Sequence, residues 1–434
     1  MENTQLKKFD VIVVGAGTGG CLTAKTASKA GLKVCMIDQK PEHKIGDKVC
    51  GDAIGKHHFD NIKLAPPSGA ELEQKIKNVH ILGIRSRTHL TPDILKKAKK
   101  LIAIGCYSIG TNQVDLQTAK NIGVPVFNAP FSNTRSVAEF VIAEIIMLVR
   151  NVPAKNAAAH RGKWLKAAYN SFEVRGKNLG IVGYGHIGTQ VSILAESIGM
   201  NVFYYDIERK LSMGKATACH SLRELLAISD VVTLHVPETE LTQNMISTPQ
   251  IADMKKGSHL INASRGSVVD YNAVAAALKE DWLAGAAADV FPIEPGSNDE
   301  QFVSVLQEFD NVILTPHIGG STSEAQENIG VEVTEKLIRY SDNGSTISAV
   351  NFPQISLHPN RNKQRFLHIH KNMPGILKNI NYVFTERDIN ISSQFLQTDN
   401  DIGYVIVDIE TQLSDDILKE LKEIPHTIRA RMLY

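Results

Sequence analysis

Short apolar runs rich in Val, Ile and Ala alternate along most of the chain with segments whose apolar residues recur every three or four positions. The runs read as buried strands and the periodic segments as amphipathic helices, so the alternation predicts α/β architecture with parallel sheets. The opening stretch predicts a strand over Asp10–Val14, a glycine turn, an Ala/Lys-rich helix and a second strand over Lys33–Asp38. Another strand, turn and helix unit begins near Leu179, and apolar strands lead into HLINASRG, GAAADVFPIEP and NVILTPHIGG. From Arg365 the order changes to strand (RFLHIH), helix (Pro374–Arg387), strand (INISSQFL), strand (GYVIVDIE), helix (Asp415–Glu423) and strand (TIRARMLY). That βαββαβ order predicts a four-stranded ferredoxin-like sheet.

Polar stretches punctuate this pattern. SDNGSTISAVN and Pro359–Gln364 hold few helix or strand formers, which predicts a boundary near residues 355–364. The expected divisions are residues 1–77, a substrate domain from 78–132 and 320–355, a nucleotide domain over 133–319, and a terminal domain over 364–434.

A chain of 434 residues with 43% hydrophobic content can bury two to four cores. Its 47 Lys+Arg against 46 Asp+Glu leave a formal charge of +1, so no general field favours nucleic acid or a membrane surface. Cys21, Cys35, Cys50, Cys106 and Cys219 are odd in number and form neither a CxxC pair nor a disulfide ladder, which fits a reducing cytoplasm. No run of about 18 apolar residues could span a bilayer, and no signal-peptide pattern is seen. KKAKK at Lys96–Lys100 reads as the solvated face of an amphipathic helix, and the adjacent His57 and His58 near Cys50 lack a usual ligand spacing, so no metal is expected.

LGIVGYGHIGTQ places Gly183, Gly185 and Gly188 between an apolar strand and a helix. Glycines there let the backbone approach a pyrophosphate, and the helix N-terminus offers free N–H groups to it. The next strand, NVFYYD, ends at Asp206, eighteen residues beyond Gly188, where a carboxylate can bind both adenosine ribose hydroxyls and repel a 2′-phosphate. The bland alternative is a tight α/β turn with a surface aspartate; strand, spacing and acid together favour NAD.

Three downstream turns carry residues suited to hydroxy-acid oxidation. Arg265 can hold a substrate carboxylate and polarise its 2-oxygen, His317 can accept the hydroxyl proton, and Glu294 can bond the other ring nitrogen. Taken singly each has a plainer reading: a loop cap, a satisfied core imidazole and a solvated turn charge. In RSRTHLT, Arg85, Ser86 and Arg87 fit a phosphate dianion or a solvated charged loop equally well.

From Asn78 to Tyr434 the motifs LGIRSRTHLT, QVDLQTAKNIGVPVFNAPFSNTRSVAEF, HVPET, LINASRGSVVD, AADVFPIEP, ILTPHIGGST and SDNGSTISAVNFP resemble the bacterial phosphoglycerate branch of the D-2-hydroxyacid dehydrogenase family. The resemblance implies a Rossmann-type NAD domain, a flavodoxin-like substrate domain and a C-terminal ACT domain. It implies NAD-dependent oxidation of D-3-phosphoglycerate to 3-phosphohydroxypyruvate, the first step toward serine, with reduction of 2-oxoglutarate as a side activity. Arg265, Glu294 and His317 then match the catalytic trio. Asp206 matches the ribose-binding acid, and His186, Ile187, Ala263, Ser264, Asp289, Gly319 and Gly320 fall at cofactor-lining positions. Arg85, Ser86 and Arg87 match the substrate segment. His370, Asn372 and Asn390 resemble serine-binding positions, which implies feedback inhibition by L-serine bound between subunits of a homotetramer.

The opening departs from that family. DVIVVGAGTGGCLTAKTASKAGLKVCMIDQK, with Gly15, Gly17, Gly20 and Asp38, resembles the FAD-binding start of archaeal geranylgeranyl reductase-type flavoproteins. The likeness stops near Lys77, too early to enclose a flavin, so the expectation is a βαβ unit that completes the substrate domain's sheet without a cofactor. A fusion scar is the other reading of these residues. A cofactor-binding but inactive fusion product and an NAD-sensing binding protein are the alternatives for the whole chain.

Overall fold

The computed structural model describes residues 11–14, 24, 28, 34–37, 69–85, 88–295, 299–358, 364–410 and 415–433. It divides into two compact units, one formed by Met1–Ser132 with Gln326–Tyr434 and the other by Asn133–Ala325. Gly15, Gly17, Gly20, Asp38, Cys50, His57, His58, Ser86 and Arg87 lie outside the described residues.

The first unit opens with β1 (Val11–Val14), β2 (Val34–Ile37), β3 (Ile81–Ile84), β4 (Ala103–Cys106) and β5 (Val126–Phe127). They form a parallel sheet in the order β2-β1-β3-β4-β5, the doubly wound order expected of a flavodoxin-like domain. Val11 stands opposite both Val34 and Ile81, so the two opening strands share one sheet with β3. Every residue of β3 and β4 is buried, as in a sheet covered on both faces. Period-two alternation decides the faces: Leu82, Ile84, Ile104 and Cys106 pack with Leu95 and Leu101, while Ile81 and Ala103 pack with Val333, Leu337 and Tyr340 of helix Ser323–Asn343. Each such large side chain contributes about 1.5–3 kcal/mol on burial.

The second unit holds β6 (Asn178–Val182), β7 (Asn201–Tyr205), β8 (Thr217–Ala218), β9 (Val231–Leu234), β10 (Ser258–Asn262), β11 (Leu283–Ala288) and β12 (Val312–Leu314). Their order, β12-β11-β10-β9-β6-β7-β8, is parallel throughout and reverses direction between β6 and β9. This is the Rossmann arrangement, in which ligands bind at the carboxyl ends of strands beside the reversal.

The first unit ends in an antiparallel sheet of β13 (Gln364–Lys371), β14 (Ile391–Thr398), β15 (Ile402–Ile409) and β16 (Thr427–Leu433), in the order β14-β15-β13-β16. Phe366, Val405 and Val407 face helices Ile376–Thr385 and Asp415–Glu423, giving the ferredoxin-like layer expected from βαββαβ order. Leu367, Ile369, Tyr404 and Ile406 point the other way, into the core shared with Phe127, Tyr340 and Phe352. Arg365 and Asp408 are opposite each other in register and form a buried bidentate pair at 2.6 and 2.7 Å.

The helix expected to carry KKAKK stops at Lys97, where Ala98 leaves helical geometry at ψ 61°. Lys97 pairs with Glu73 at 2.5 Å and Lys100 with Asn78 at 3.1 Å, both exposed, so this cluster is a solvated surface. Among the described residues no helix is long and apolar enough to cross a membrane, and no group of three or more His, Cys, Asp or Glu residues could hold a metal.

Candidate active site

The nucleotide turn is built where β6 gives way to helix His186–Ser197. Gly183 has φ +89°, and a Cβ on it would run into the carbonyl oxygen of His235 on the neighbouring strand's exit. Gly185 is the N-cap residue, and space beside it is open: a Cβ there would meet nothing within 4 Å. His186, Ile187 and Gly188 form the helix's first turn. Asp206 follows β7 and reaches back to this turn, its Oδ2 accepting Tyr184 N–H at 2.8 Å and its Oδ1 accepting Glu208 N–H at 2.9 Å. An anion-receptive helix start, a side-chain-free approach and a fixed carboxylate together fit an adenine dinucleotide.

Arg265 leaves β10 on a loop ordered by Asn262, whose amide donates to the Arg265 carbonyl at 3.0 Å and to the Tyr271 hydroxyl at 3.0 Å. Asn262 Oδ1 also accepts both the N–H and the hydroxyl of Ser264, at 3.1 and 2.8 Å. Tyr271 in turn donates to the carbonyl of Val290 at 2.7 Å, tying the β10 loop to the β11 loop. Gly266 sits so close to Phe291 and Pro292 that no Cβ fits. The Arg265 and Glu294 loops therefore lie side by side, with Ala263 partly buried and Ser264 buried at the same strand end.

His317 adopts φ +56°, a left-handed conformation that a residue with a Cβ holds only under constraint. The constraint is Asp289. Its buried carboxylate accepts Thr315 Oγ1 at 2.7 Å, Ile318 N–H at 2.8 Å and Gly319 N–H at 2.8 Å, bracketing His317 on both sides. Burial raises the Asp289 pKa against these stabilising bonds. Gly320 follows so closely on Asn133 that a Cβ would overlap its side chain.

Within this frame Glu294 grips His317 Nδ1, with Oε2 at 2.9 Å and Oε1 at 3.1 Å, while Oε1 also accepts Phe291 N–H at 3.1 Å. The hydrogen bond that His317 donates to Glu294 raises the His317 pKa, outweighing the opposing effects of burial and of the Arg265 charge. Burial alone would raise the Glu294 pKa, but the His317 bond and charge, the Phe291 N–H and Arg265 together leave it lowered. Arg265, Glu294 and His317, taken from three separate strand ends, are thus close enough to act on one another's charge. The His317 side chain is half-exposed, leaving its other ring nitrogen for a reactant.

Sequence reasoning passed over Asn262, Tyr271 and Thr315, because a residue that bonds a loop has no periodicity or charge to announce it. It also passed over Glu144, which is fully buried on helix Thr134–Val149 with neither carboxyl oxygen bonded. Burial, aided by the Asp289 carboxylate, pushes Glu144 up to about 9, so it stands as a neutral acid behind the His317 loop's brace.

In the first unit, Arg85 follows β3 and donates from Nη2 to Gln326 Oε1 at 2.8 Å. At the terminal sheet, His370 is buried at the end of β13, with Nδ1 2.8 Å from the Lys371 carbonyl, and burial lowers its pKa. Asn372 donates its amide to the Asp399 carbonyl at 2.7 Å. Asn390 is exposed just before β14, whose first residue pairs with Ile409, whereas His370 pairs with Gly403. Six residues of strand, about 20 Å, separate those ends, so one chain does not bring Asn390 to His370.

The model for the D-isomer specific 2-hydroxyacid dehydrogenase NAD binding domain matches residues 142–319, and that for the acetohydroxyacid synthase small subunit-like ACT domain matches residues 366–429. The chain belongs to the D-2-hydroxyacid dehydrogenase family, with NAD as its cofactor and an ACT domain at its C-terminal end. Within that family, D-3-phosphoglycerate dehydrogenases are among its relatives. The enzyme of that name from Haemophilus influenzae is 60% identical over 382 residues, 88% of this chain and 93% of the relative. That of Escherichia coli strain K12 is 60% identical over 366 residues, 84% of this chain and 89% of the relative. Among solved structures, D-lactate dehydrogenase from Aquifex aeolicus, complexed with NAD and lactic acid, aligns with a TM-score of 0.62 at 27% identity, covering 74% of this chain and 100% of that one. Residues 10–79 match a different model, glucose inhibited division protein A, in keeping with an opening that departs from the rest.

Proposed function

We propose that the protein oxidises the 2-hydroxyl of D-3-phosphoglycerate to give 3-phosphohydroxypyruvate, with NAD as acceptor. The observation that carries this reading is the Glu294–His317 pair within electrostatic reach of Arg265. With Nδ1 engaged by Glu294, His317 takes the hydroxyl proton at Nε2, and the carboxylate steadies the imidazolium that results. Arg265 holds the substrate carboxylate and polarises the 2-oxygen through its planar fork of donors. Arg85, with Ser86 and Arg87, takes the phosphate. When bound, NAD supplies the ring that accepts the hydride; the chain's own part is to seat it. Gly183, Gly185, His186, Ile187 and Gly188 approach the pyrophosphate, Asp206 binds the ribose hydroxyls, and Ala263, Ser264, Asp289, Gly319 and Gly320 line the site. The names of the relatives at 60% identity support this substrate.

The terminal domain senses L-serine, the end product of the sequence this oxidation begins. Because His370 and Asn372 lie at the opposite end of the sheet from Asn390, two sheets related by a two-fold axis would bring one chain's pair against the other's asparagine. Exposed Trp164 and Tyr169, at 85% and 80% accessibility, support self-association, for which the family resemblance implies a homotetramer. The opening strands β1 and β2 serve as the first part of the substrate domain's sheet, and the enzyme works in the cytoplasm. Replacing His317 by Ala tests the assignment: turnover should vanish while NAD affinity stays within about threefold, and equal loss of both would reject the base role.

A further inference from the structure

We propose that Gln326 is a specificity-determining residue, holding Arg85 in place with a neutral acceptor so that the arginine's positive charge stays available to a phosphorylated substrate. The inference rests on the reading of Arg85 as a phosphate ligand.

Arg85 emerges from the carboxyl end of β3, and its Nη2 donates to Gln326 Oε1 at 2.8 Å across 241 residues of sequence. Both side chains are half-buried, and among the described residues no carboxylate pairs with Arg85. Gln326 sits in the first turn of a helix that also carries the exposed Glu324 and Glu327 close to it in sequence. Acids are thus abundant on this turn, yet an amide occupies the position that faces the guanidinium.

The chemistry of the choice is direct. A planar guanidinium needs an acceptor to fix its orientation, and either an amide oxygen or a carboxylate would serve. A carboxylate would make the stronger bond, but it would neutralise Arg85 and add a negative charge beside the place a dianion must enter. An amide gives the geometry and leaves the charge uncancelled. Gln326 therefore favours substrates by their phosphate, independently of the carboxylate and 2-oxygen read by Arg265.

The experiment compares reduction, with NADH, of 3-phosphohydroxypyruvate and of hydroxypyruvate, which differ only in the phosphate. Gln326→Glu should raise KM for the phosphorylated acid at least tenfold and KM for hydroxypyruvate less than threefold. Gln326→Met, which frees the guanidinium without adding charge, should fall between wild type and Gln326→Glu. Thermal midpoint and NADH affinity report whether each variant folds, and the less perturbing Gln326→Met carries the test if Gln326→Glu does not. Equal changes for both acids, or no change for either, would overturn the inference. Arg85→Gln separates the two claims: if it leaves KM for the phosphorylated acid unaltered, the reading of Arg85 fails, whereas a selective rise with Arg85→Gln but none with Gln326→Glu defeats the role of Gln326 alone.

Discussion

Asp289 accepts the backbone N–H of Gly319 at 2.8 Å, and a Cβ on that glycine would stand 2.9 Å from the same carboxylate oxygen. One carboxylate thereby fixes the backbone after His317, as it fixes Thr315 before it, and holds the imidazole carrier in its left-handed turn. Replacing Asp289 by Ala leaves two N–H groups and a hydroxyl without their acceptor. Turnover should fall about 100-fold or more, since displacement of a base by about 1 Å costs that much. Stopped-flow measurement of the hydride step would register it.

The pH profile follows from the Glu294–His317 pair. Oxidation needs a neutral imidazole, and because Glu294 raises the His317 pKa, the oxidation rate should climb with pH through a value above the ordinary 6.5. Reduction needs the imidazolium and should fall through the same value. Glu294→Gln removes the largest cause of the rise, so both limbs should move to lower pH. A profile of kcat/KM with Glu294→Gln that moved upward would contradict the pairing.

Asp206 accepts the backbone N–H groups of Tyr184 and Glu208, and the proposed function has it bind the adenosine ribose hydroxyls. Asp206→Ser should weaken NAD binding by about 10-fold or more and lessen discrimination against NADP, because the repulsion of a 2′-phosphate goes with the charge. Fluorescence titration with NADH and NADPH gives both numbers.

In the terminal sheet, Gly403 lies directly across from His370, and a Cβ there would overlap the imidazole. Gly403→Ala should displace the ring and raise the serine concentration for half-inhibition by about 10-fold or more, with turnover in the absence of serine retained. A variant that kept wild-type inhibition would remove His370 from the effector site.

The Arg365–Asp408 pair is only 5% and 6% exposed. Asp408→Ala strands a buried guanidinium and should cost about 3–5 kcal/mol, whereas exchanging both partners for apolar residues should cost far less. Denaturant melts of the two variants make the comparison.

Much of this is legible in the sequence. Strand runs such as those ending at Val182, Asn262, Ala288 and Leu314 mark the Rossmann sheet, and a chain that folds by period carries its strand ends into view. Arg265, Glu294 and His317 stand out because each follows such a strand with a side chain that hydroxy-acid oxidation requires. What could not be read were the residues acting through others. Asp289 could be placed near the cofactor, but its hold on Ile318 and Gly319 depends on how two loops cross. Glu144 occupies an apolar helical position where a carboxylic acid becomes tolerable only as the neutral form. The opening was harder still. Its flavoprotein-like pattern specifies a strand pair expected to complete the substrate domain's sheet, but not the register, in which Val11 stands against Ile81.

The most direct measurement follows the hydrogen itself. D-3-phosphoglycerate labelled with deuterium at carbon 2 should transfer that deuterium to NAD and yield unlabelled 3-phosphohydroxypyruvate, with the transfer suppressed by L-serine. Retention of the label in the three-carbon acid, with NAD bound but not reduced, would contradict the reaction proposed for the site.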